Sequence, residues 1–353
     1  MVALEEIAAV ITPLYIDIMG QVKKRLDSLT KPIGSLGRLE DIVMQLAGIS
    51  GEVFPKVDKK NVIIMCADNG VVEEGVSSCP KSVTAEVTRN FTRGITGINI
   101  FARHANSDIT IVDIGVDAEI ECQQVLNRKI RWGTGNIAKG PAMSKSEAIK
   151  AIETGIDIVS ALKKKGVNLL GTGEMGIGNT TTASAIVATY ADCPVDKVVG
   201  KGAGLTKEAY HNKIAIVKKA IEVNQPDKKD PIDVLSKVGG LDIAGLAGCF
   251  IGAAYNRIPI LIDGFISGSA ALIACKIHPL VKEYIIPSHG SAEPGTEVLM
   301  SLLEMEPMLN LKMRLGEGTG AALAFHIIDA AVAAYNQMGT FQDANIEQYE
   351  PLE

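Results

Sequence analysis

Short apolar runs that end in polar or glycine-containing loops constrain the fold of this chain more than any other feature. Five such runs occupy residues 61–68, 108–116, 168–175, 258–265 and 283–289. Strands that are apolar on both faces are typical of a parallel sheet covered on each side. Helical patterns lie between the runs, and one begins at a capping box formed by Ser144 and Glu147. This alternation predicts an α/β fold with a doubly wound, mainly parallel sheet.

The two ends of the chain have a different pattern from its middle. Residues 1–50 are amphipathic and helical apart from a loop at 30–40, and another helix begins near residue 320. We therefore expect a core over residues 51–325 and a small helical subdomain formed by 1–50 with 326–353. The longest apolar stretch, 240–255, contains an aspartate and is shorter than the ~20 residues that span a bilayer. It predicts a buried helix, with no membrane partner.

Composition excludes several other classes of protein. The 353 residues carry 35 Lys and Arg against 41 Asp and Glu, a formal net charge of −6, which argues against a nucleic-acid partner. The six cysteines form no CxxC pair and are expected to be free thiols, and the five histidines show no metal-ligand spacing. The first residues are acidic and resemble no signal peptide. We expect a cytoplasmic protein with neither a metal nor a cofactor.

The strongest local motif is the glycine-rich segment GTGEMGIGNTTTASAI at 171–186, where a strand passes into a helix. Its glycines allow close backbone approach, and a helix start offers free N–H groups and a positive dipole end to a phosphate. The proposed phosphate contacts are Gly176, Ile177, Gly178, Asn179 and Thr180. A glycine-rich turn with a threonine cap is the alternative interpretation. A second glycine loop, GKGAGL at 200–205, contains Gly202 and is a weaker signal.

Two acids lie within glycine motifs. Glu317 lies within LGEGTG at a helix start, so it is a candidate general base or, equally, a carboxylate stabilised by the helix dipole. Glu174 lies at the end of a predicted strand in the 171–186 segment. Further polar groups follow other strands, and together they predict a polar ring at one edge of the sheet: Asp68, Asn69, Asp263, Ser288, His289, Ser291 and Glu293.

Missing motifs narrow the chemistry further. The chain has no acidic strand followed by the Thr/Gly phosphate loop of enzymes that use a pyrophosphate donor with magnesium, and it has no GxSxG elbow. A metal-free reaction on a monophosphate fits this inventory best.

Several ordered motifs resemble those of one family, the nicotinate-nucleotide:dimethylbenzimidazole phosphoribosyltransferases of cobamide lower-ligand assembly. The resemblance runs nearly end to end. It is carried by TKPIGSLGRLE, ADNGVVEEGVSSCPKSVT, WGTGNIAKGPAM, GEMGIGNTT, GKGAGL, LIDGF, SHGSAEPGT and MRLGEGTGAALA.

The resemblance implies a homodimer with a Rossmann-like core that transfers phosphoribosyl from nicotinate mononucleotide to a benzimidazole- or phenol-type base. The products are nicotinate and an α-riboside 5′-phosphate. It implies that Glu317 is the general base, that Glu174 is a second acid and that Lys213 and the 174–180 loop hold the ribose phosphate. Substrate contacts are also expected from Gly202, Asp263 and Ser291, and the base pocket from Cys79, Val87, Met175 and Leu315.

Departures from the family pattern concern the base pocket more than the chemistry. Asn69 stands where the family has His, Thr296 follows EPG where His is usual, and Cys79, Lys81 and Val87 also differ. They predict a relaxed choice of base.

Two other functions remain as alternatives. One is a non-catalytic or weakly catalytic nucleotide-binding subunit in a heterodimer with a paralogue. The other is a dinucleotide-dependent oxidoreductase, which would need a GxGxxG motif with an acid ~20 residues later that the chain lacks.

Overall fold

The computed structural model describes residues 4–202 and 204–347. Within these ranges, six strands form one parallel sheet in the order β3-β2-β1-β4-β5-β6. The strands are β1 (Lys60–Ala67), β2 (Ser107–Gly115), β3 (Val125–Asn127), β4 (Leu169–Met175), β5 (Ile260–Ile262) and β6 (Ile285–Pro287). The order reverses between β1 and β4, as in doubly wound folds that bind ligands at that point. The predicted α/β class and parallel sheet are confirmed.

Burial explains why the strands were recognisable. Every residue of β1 is buried, and so is every residue of β4 except the last, because helices cover both faces of the sheet. Two details differ from the prediction. The last two strands have only three residues each, and β3 was not predicted, since its short, half-exposed VLN sequence lacks a continuous apolar run.

The helices in the described ranges lie before, between and after these strands, with none between β2 and β3. They are α1 (Leu4–Ala8), α2 (Ile16–Ser28), α3 (Arg38–Ser50), α4 (Val83–Thr92), α5 (Gly97–His104), α6 (Lys145–Lys164), α7 (Asn179–Tyr190), α8 (Lys207–Asn224), α9 (Pro231–Val238), α10 (Leu241–Tyr255), α11 (Gly264–Ile277), α12 (Gly295–Leu303) and α13 (Thr319–Gln337). The predicted capping box is present, with Ser144 and Glu147 bonding each other's backbone N–H at the start of α6.

The apolar 240–255 stretch forms the buried helix α10, which packs on α6 through glycines. A Cβ at Gly155 would lie 2.8 Å from the nitrogen of Cys249, and a Cβ at Gly248 would overlap the carbonyl of Ile152. The two helix backbones are therefore nearly in contact. No described helix is both long enough and apolar enough to cross a membrane.

Helices α2 and α3 from the first part of the chain and α13 from its last part lie together on one face of the sheet, whereas α1 contacts α6 and α10 instead. Helix α13 packs on α3 and α5 and also reaches β4, and α2 packs on α3. Helix α13 runs without a break across residue 325, the expected domain boundary. The division into a core and a terminal subdomain stays a prediction, and residues 348–353 of that subdomain lie outside the described part of the chain.

Candidate active site

A cavity of about 250 Å³ opens at the carboxyl edge of the sheet, where the strand order reverses. Its lining comes from four regions of sequence that are far apart: 76–87, 174–205, 263–293 and 314–317. Most residues that the sequence singled out line it. They are Val87, Glu174, Met175, Gly176, Ile177, Gly178, Asn179, Thr180, Gly202, Asp263, Ser291, Leu315 and Glu317. Of the predicted substrate and base-pocket contacts, only Lys213 and Cys79 lie outside the lining. Of the predicted polar ring, His289 and Glu293 also line the cavity, whereas Asp68, Asn69 and Ser288 do not.

The backbone around Glu317 explains its glycine flanks. Glu317 has a φ of 61°, and its neighbours Gly316 and Gly318 have φ of 82° and 94°, so three successive residues are left-handed. Only glycine adopts this region without strain, and a run of three makes a tight reversal before α13. On the strand side, a Cβ at Gly173 would lie 2.7 Å from the Glu317 carbonyl carbon. The loop can therefore lie directly against β4.

The Glu317 carboxylate is held at the start of a second helix. Its Oε2 accepts a hydrogen bond of 3.0 Å from the backbone N–H of Ile98 in the first turn of α5. Burial raises the pKa of Glu317, and the backbone N–H groups of Ile98 and Gly97 oppose that shift. A carboxylate with a raised pKa and a fixed orientation has the properties of a general base near neutral pH.

Glu174 lines the cavity at the end of β4, beside the loop that carries Glu317. It is buried, with 6% of its surface exposed, and its Oε2 accepts a hydrogen bond from the side-chain amide of Asn179. Burial, together with the negative charges of Asp242 and Asp263, raises the pKa of Glu174 to about 8. At pH 7 this side chain is therefore mostly neutral and can donate a hydrogen bond.

Asp263 lines the cavity, but its carboxylate oxygens already have partners. Oδ1 accepts from the N–H of Gly320 (2.7 Å) and Ala321 (3.1 Å), and Oδ2 accepts from the N–H of Gly318 (2.9 Å). Asp263 therefore caps α13 from the end of β5 and fixes the loop that carries Glu317. Burial raises its pKa, while the nearby His289 and the three N–H groups lower it.

The predicted phosphate loop forms another wall of the cavity. Gly178 has a φ of 94° and α7 begins at the next residue, so the dipole end of α7 points at the cavity. Two of the loop's N–H groups are already engaged: Ile177 donates to the Thr84 hydroxyl and Asn179 to the Gly176 carbonyl. Those two are less available to a phosphate than the sequence suggested.

Lys213 lies behind the phosphate loop and not on the cavity surface. It is 1% exposed, and its Nζ donates to the hydroxyl oxygen of Thr180 at 2.7 Å. Burial lowers the pKa of Lys213 to about 8. Because Lys213 engages the Thr180 oxygen, the Thr180 hydroxyl proton is free to point into the cavity.

The side of the cavity near Glu317 is apolar and open. Val87, Met175 and Leu315 line it, and Leu315 is 59% exposed. Cys79 lies just outside this lining, which Ser77 and Ser78 provide instead.

Tertiary structure adds residues that sequence inspection missed. Arg314 lines the cavity and donates to the carbonyl of Gly202, which ties the 200–205 loop to the Glu317 loop. Its place directly before LGEGTG was the available signal. Phe265 also lines the cavity, although it lies in the LIDGF motif and was not singled out. Among the described residues, no three His, Cys, Asp or Glu side chains are grouped to hold a metal ion.

Comparisons with known proteins agree with this geometry. A family model described as a phosphoribosyltransferase matches residues 11–346. A nicotinate-nucleotide–dimethylbenzimidazole phosphoribosyltransferase of Clostridium acetobutylicum is 68% identical over 335 residues, 95% of each chain. One of the same name from Acetivibrio thermocellus is 68% identical over 338 residues, 96% of each chain. The crystal structure of CobT from Thermus thermophilus matches with a TM-score of 0.90 at 36% identity, covering 94% of this chain and 100% of that one.

These matches extend across nearly the whole chain and favour neither an oxidoreductase nor a non-catalytic subunit. The chain is an enzyme of the pentosyltransferase class, and it belongs to the nicotinate-nucleotide–dimethylbenzimidazole phosphoribosyltransferase family.

Proposed function

We propose that this enzyme transfers phosphoribosyl from nicotinate mononucleotide to 5,6-dimethylbenzimidazole or a related base or phenol. The products are nicotinate and an α-riboside 5′-phosphate that serves cobamide synthesis. The observation that carries the proposal is that one cavity contains both the Glu317 carboxylate and the glycine-rich start of α7. Relatives named for this reaction and 68% identical to the chain support the choice of substrates.

The reaction needs one general base and one site that holds the 5′-phosphate of the nucleotide. A pyridinium leaves the anomeric carbon as a neutral nitrogen, so the leaving group requires no proton. The attacking base forms the new bond through one ring nitrogen while its other N–H gives a proton to Glu317. Attack from the face opposite the leaving group inverts the β-nucleotide to the α-product. A phosphate anchored at α7 positions the anomeric carbon through remote binding energy.

Cationic side chains and hydrogen-bond donors surround the predicted phosphate loop, some on the cavity surface and one behind it. Lys213 acts through the Thr180 hydroxyl, and Lys201 and Arg314 line the cavity directly. Ser291 and the Gly202 loop complete this wall. We assign the 5′-phosphate to this region because a dianion requires several donors and a positive field.

Glu174 acts in this scheme as a neutral acid. With a pKa raised to about 8, it can donate a hydrogen bond to a ribose hydroxyl without repelling the phosphate. Val87, Met175 and Leu315 offer an apolar surface for the incoming base, close to Glu317.

The test is nicotinate release from nicotinate mononucleotide with a panel of benzimidazoles and a cresol. Glu317→Gln keeps an oxygen to accept from Ile98, so we expect it to fold and bind nucleotide. Its turnover should fall by about 10²- to 10⁴-fold, the usual contribution of a general base. Turnover within about twofold of wild type would remove Glu317 from the mechanism.

We further propose a homodimer in the cytoplasm. A heterodimer with a paralogue is the second arrangement, and the mass of the purified enzyme in solution, with and without a co-expressed paralogue, distinguishes them.

A further inference from the structure

A line of buried polar side chains extends from Glu174 away from the cavity. Asn179 lies next to Glu174, and beyond it lie Asp242 of α10 and Asn69, which follows β1. None of the four is more than 6% exposed, and Asp242 and Asn69 are fully buried. The side-chain amides of Asn179 and Asn69 both face the Asp242 carboxylate closely enough to lower its pKa.

A carboxylate at position 242 does not stabilise the fold. Asp242 is the second residue of a helix that is buried and otherwise apolar over 241–254. Its Oδ1 accepts from the N–H of Ile243, but its Oδ2 and both amide atoms of Asn69 have no hydrogen-bond partner among the described residues. A buried, half-satisfied carboxylate costs free energy, and a neutral side chain of similar volume is expected to be no worse.

The position of Asp242 relative to the reacting groups supplies a reason. The Asn179 amide lies between two carboxyl groups, that of Glu174 on the cavity side and that of Asp242 behind it. The other oxygen of Glu174, Oε1, faces Gly316 in the loop that carries Glu317, because a Cβ at Gly316 would overlap it. The Asn179 amide therefore lies between Asp242 and a carboxyl group whose other oxygen faces the loop that carries Glu317.

We propose that Asp242 is a positioning residue for phosphoribosyl transfer, acting on Glu174 through the side-chain amide of Asn179. It orients that amide, and its negative charge keeps Glu174 protonated. Glu174 then presents an O–H to the substrate. This inference rests on the proposed function for the kinetic readout, but the protonation of Glu174 can be measured without turnover.

The charges around Glu174 give the sign of the effect. Asp242 approaches from α10, Asp263 from the end of β5 and Glu317 from the loop before α13, and all three are acidic. The Cys66 thiol on β1 also lies near, and its pKa is raised far above its ordinary value. With a pKa of about 6, Asp242 is mostly charged at pH 7 and disfavours ionisation of Glu174. Removing that charge must lower the pKa of Glu174.

The experiment compares pH profiles of nicotinate release for wild type and Asp242→Asn. We expect the alkaline limb of kcat to move to lower pH, and kcat at pH 7 to fall by about 10-fold or more while KM for the nucleotide changes less than about twofold. Asp113→Asn is the matched control. Asp113 is buried at the end of β2 and pairs with Lys129 at 3.0 Å, so its loss should lower stability without moving the limb.

A second variant and a direct titration of Glu174 test the proposal even if Asp242→Asn does not fold. Asn69→Leu leaves Asp242 in place but removes an amide that favours its charge, so the limb should again move to lower pH. In wild-type enzyme, infrared difference spectra against Glu174→Gln identify the Glu174 carboxyl band, which should titrate near pH 8. Titration of that band near the ordinary value of 4.5, or an unmoved limb in both folded variants, overturns the proposal. Failure of nicotinate release in wild type overturns the proposed function instead.

Discussion

Replacement of Asp263 by Asn tests how far the proposed catalysis depends on the support of the loop that carries Glu317. Both carboxylate oxygens of Asp263 accept hydrogen bonds. Oδ1 accepts from two N–H groups of α13, and Oδ2 accepts from the N–H of Gly318. An asparagine has one oxygen and one NH₂ group. If its oxygen keeps the two bonds at Oδ1, its NH₂ group faces the N–H of Gly318, and two donors meet in a buried site.

The cost follows from this count. One charge-assisted hydrogen bond, worth about 1.5–3 kcal/mol, is lost, and one buried N–H is left unpaired at about 1–3 kcal/mol. We expect the free energy of unfolding to fall by about 3 kcal/mol or more. Because Gly318 follows Glu317 directly, the carboxylate of Glu317, the proposed general base, should also shift, and a misplacement of ~1 Å lowers kcat by about 10²-fold.

Urea denaturation and nicotinate release measure the two effects on the same protein. Asp230→Asn is the matched control. Asp230 caps α9 with one oxygen, Oδ1, which accepts from the N–H of Ile232 and Asp233, both at 3.0 Å. Its Oδ2 pairs at 2.7 Å with Lys145, and because Asp230 is 40% exposed and Lys145 is 52% exposed, that surface ion pair contributes at most about 1 kcal/mol. Asparagine is nearly as good a cap there, so we expect a loss within about 1 kcal/mol. Equal stability losses for the two variants, or an unchanged kcat for Asp263→Asn, would refute the argument.

Three further predictions concern the cavity lining and two residues that lie outside it, Lys213 and Cys79. Because burial lowers the pKa of Lys213 to about 8, KM for the nucleotide should rise as pH passes about 8, and Lys213→Met should raise KM and flatten that pH dependence in steady-state assays. Gly176→Val should reduce thermal stability as well as nucleotide affinity, because a Cβ there would overlap the Ala67 carbonyl; an unchanged Tm would contradict this. Cys79→Tyr with Val87→Met should narrow the product distribution in a competition between dimethylbenzimidazole, benzimidazole and a cresol, and identical product ratios would exclude both positions from specificity.

The sequence predicted local features because their causes are local. Continuous apolar runs required strands covered on both faces, and β1 and β4 appear where those runs lie. The glycines on either side of Glu317 indicated a tight turn from the sequence alone, because a left-handed backbone at 316 and 318 favours residues without a Cβ.

Only the tertiary structure decided which side chains meet. The sequence does not show which of Lys201 and Lys213 reaches the cavity surface. Because α8 packs on α7, Lys213 lies behind Thr180, whereas Lys201 lines the cavity. Asp242 looked like a polar break in an apolar helix, and the crossing of α10 behind β1 and β4 sets it against Asn179. Distance, burial and charge between residues far apart in sequence depend on how whole elements pack, and no local pattern encodes that packing.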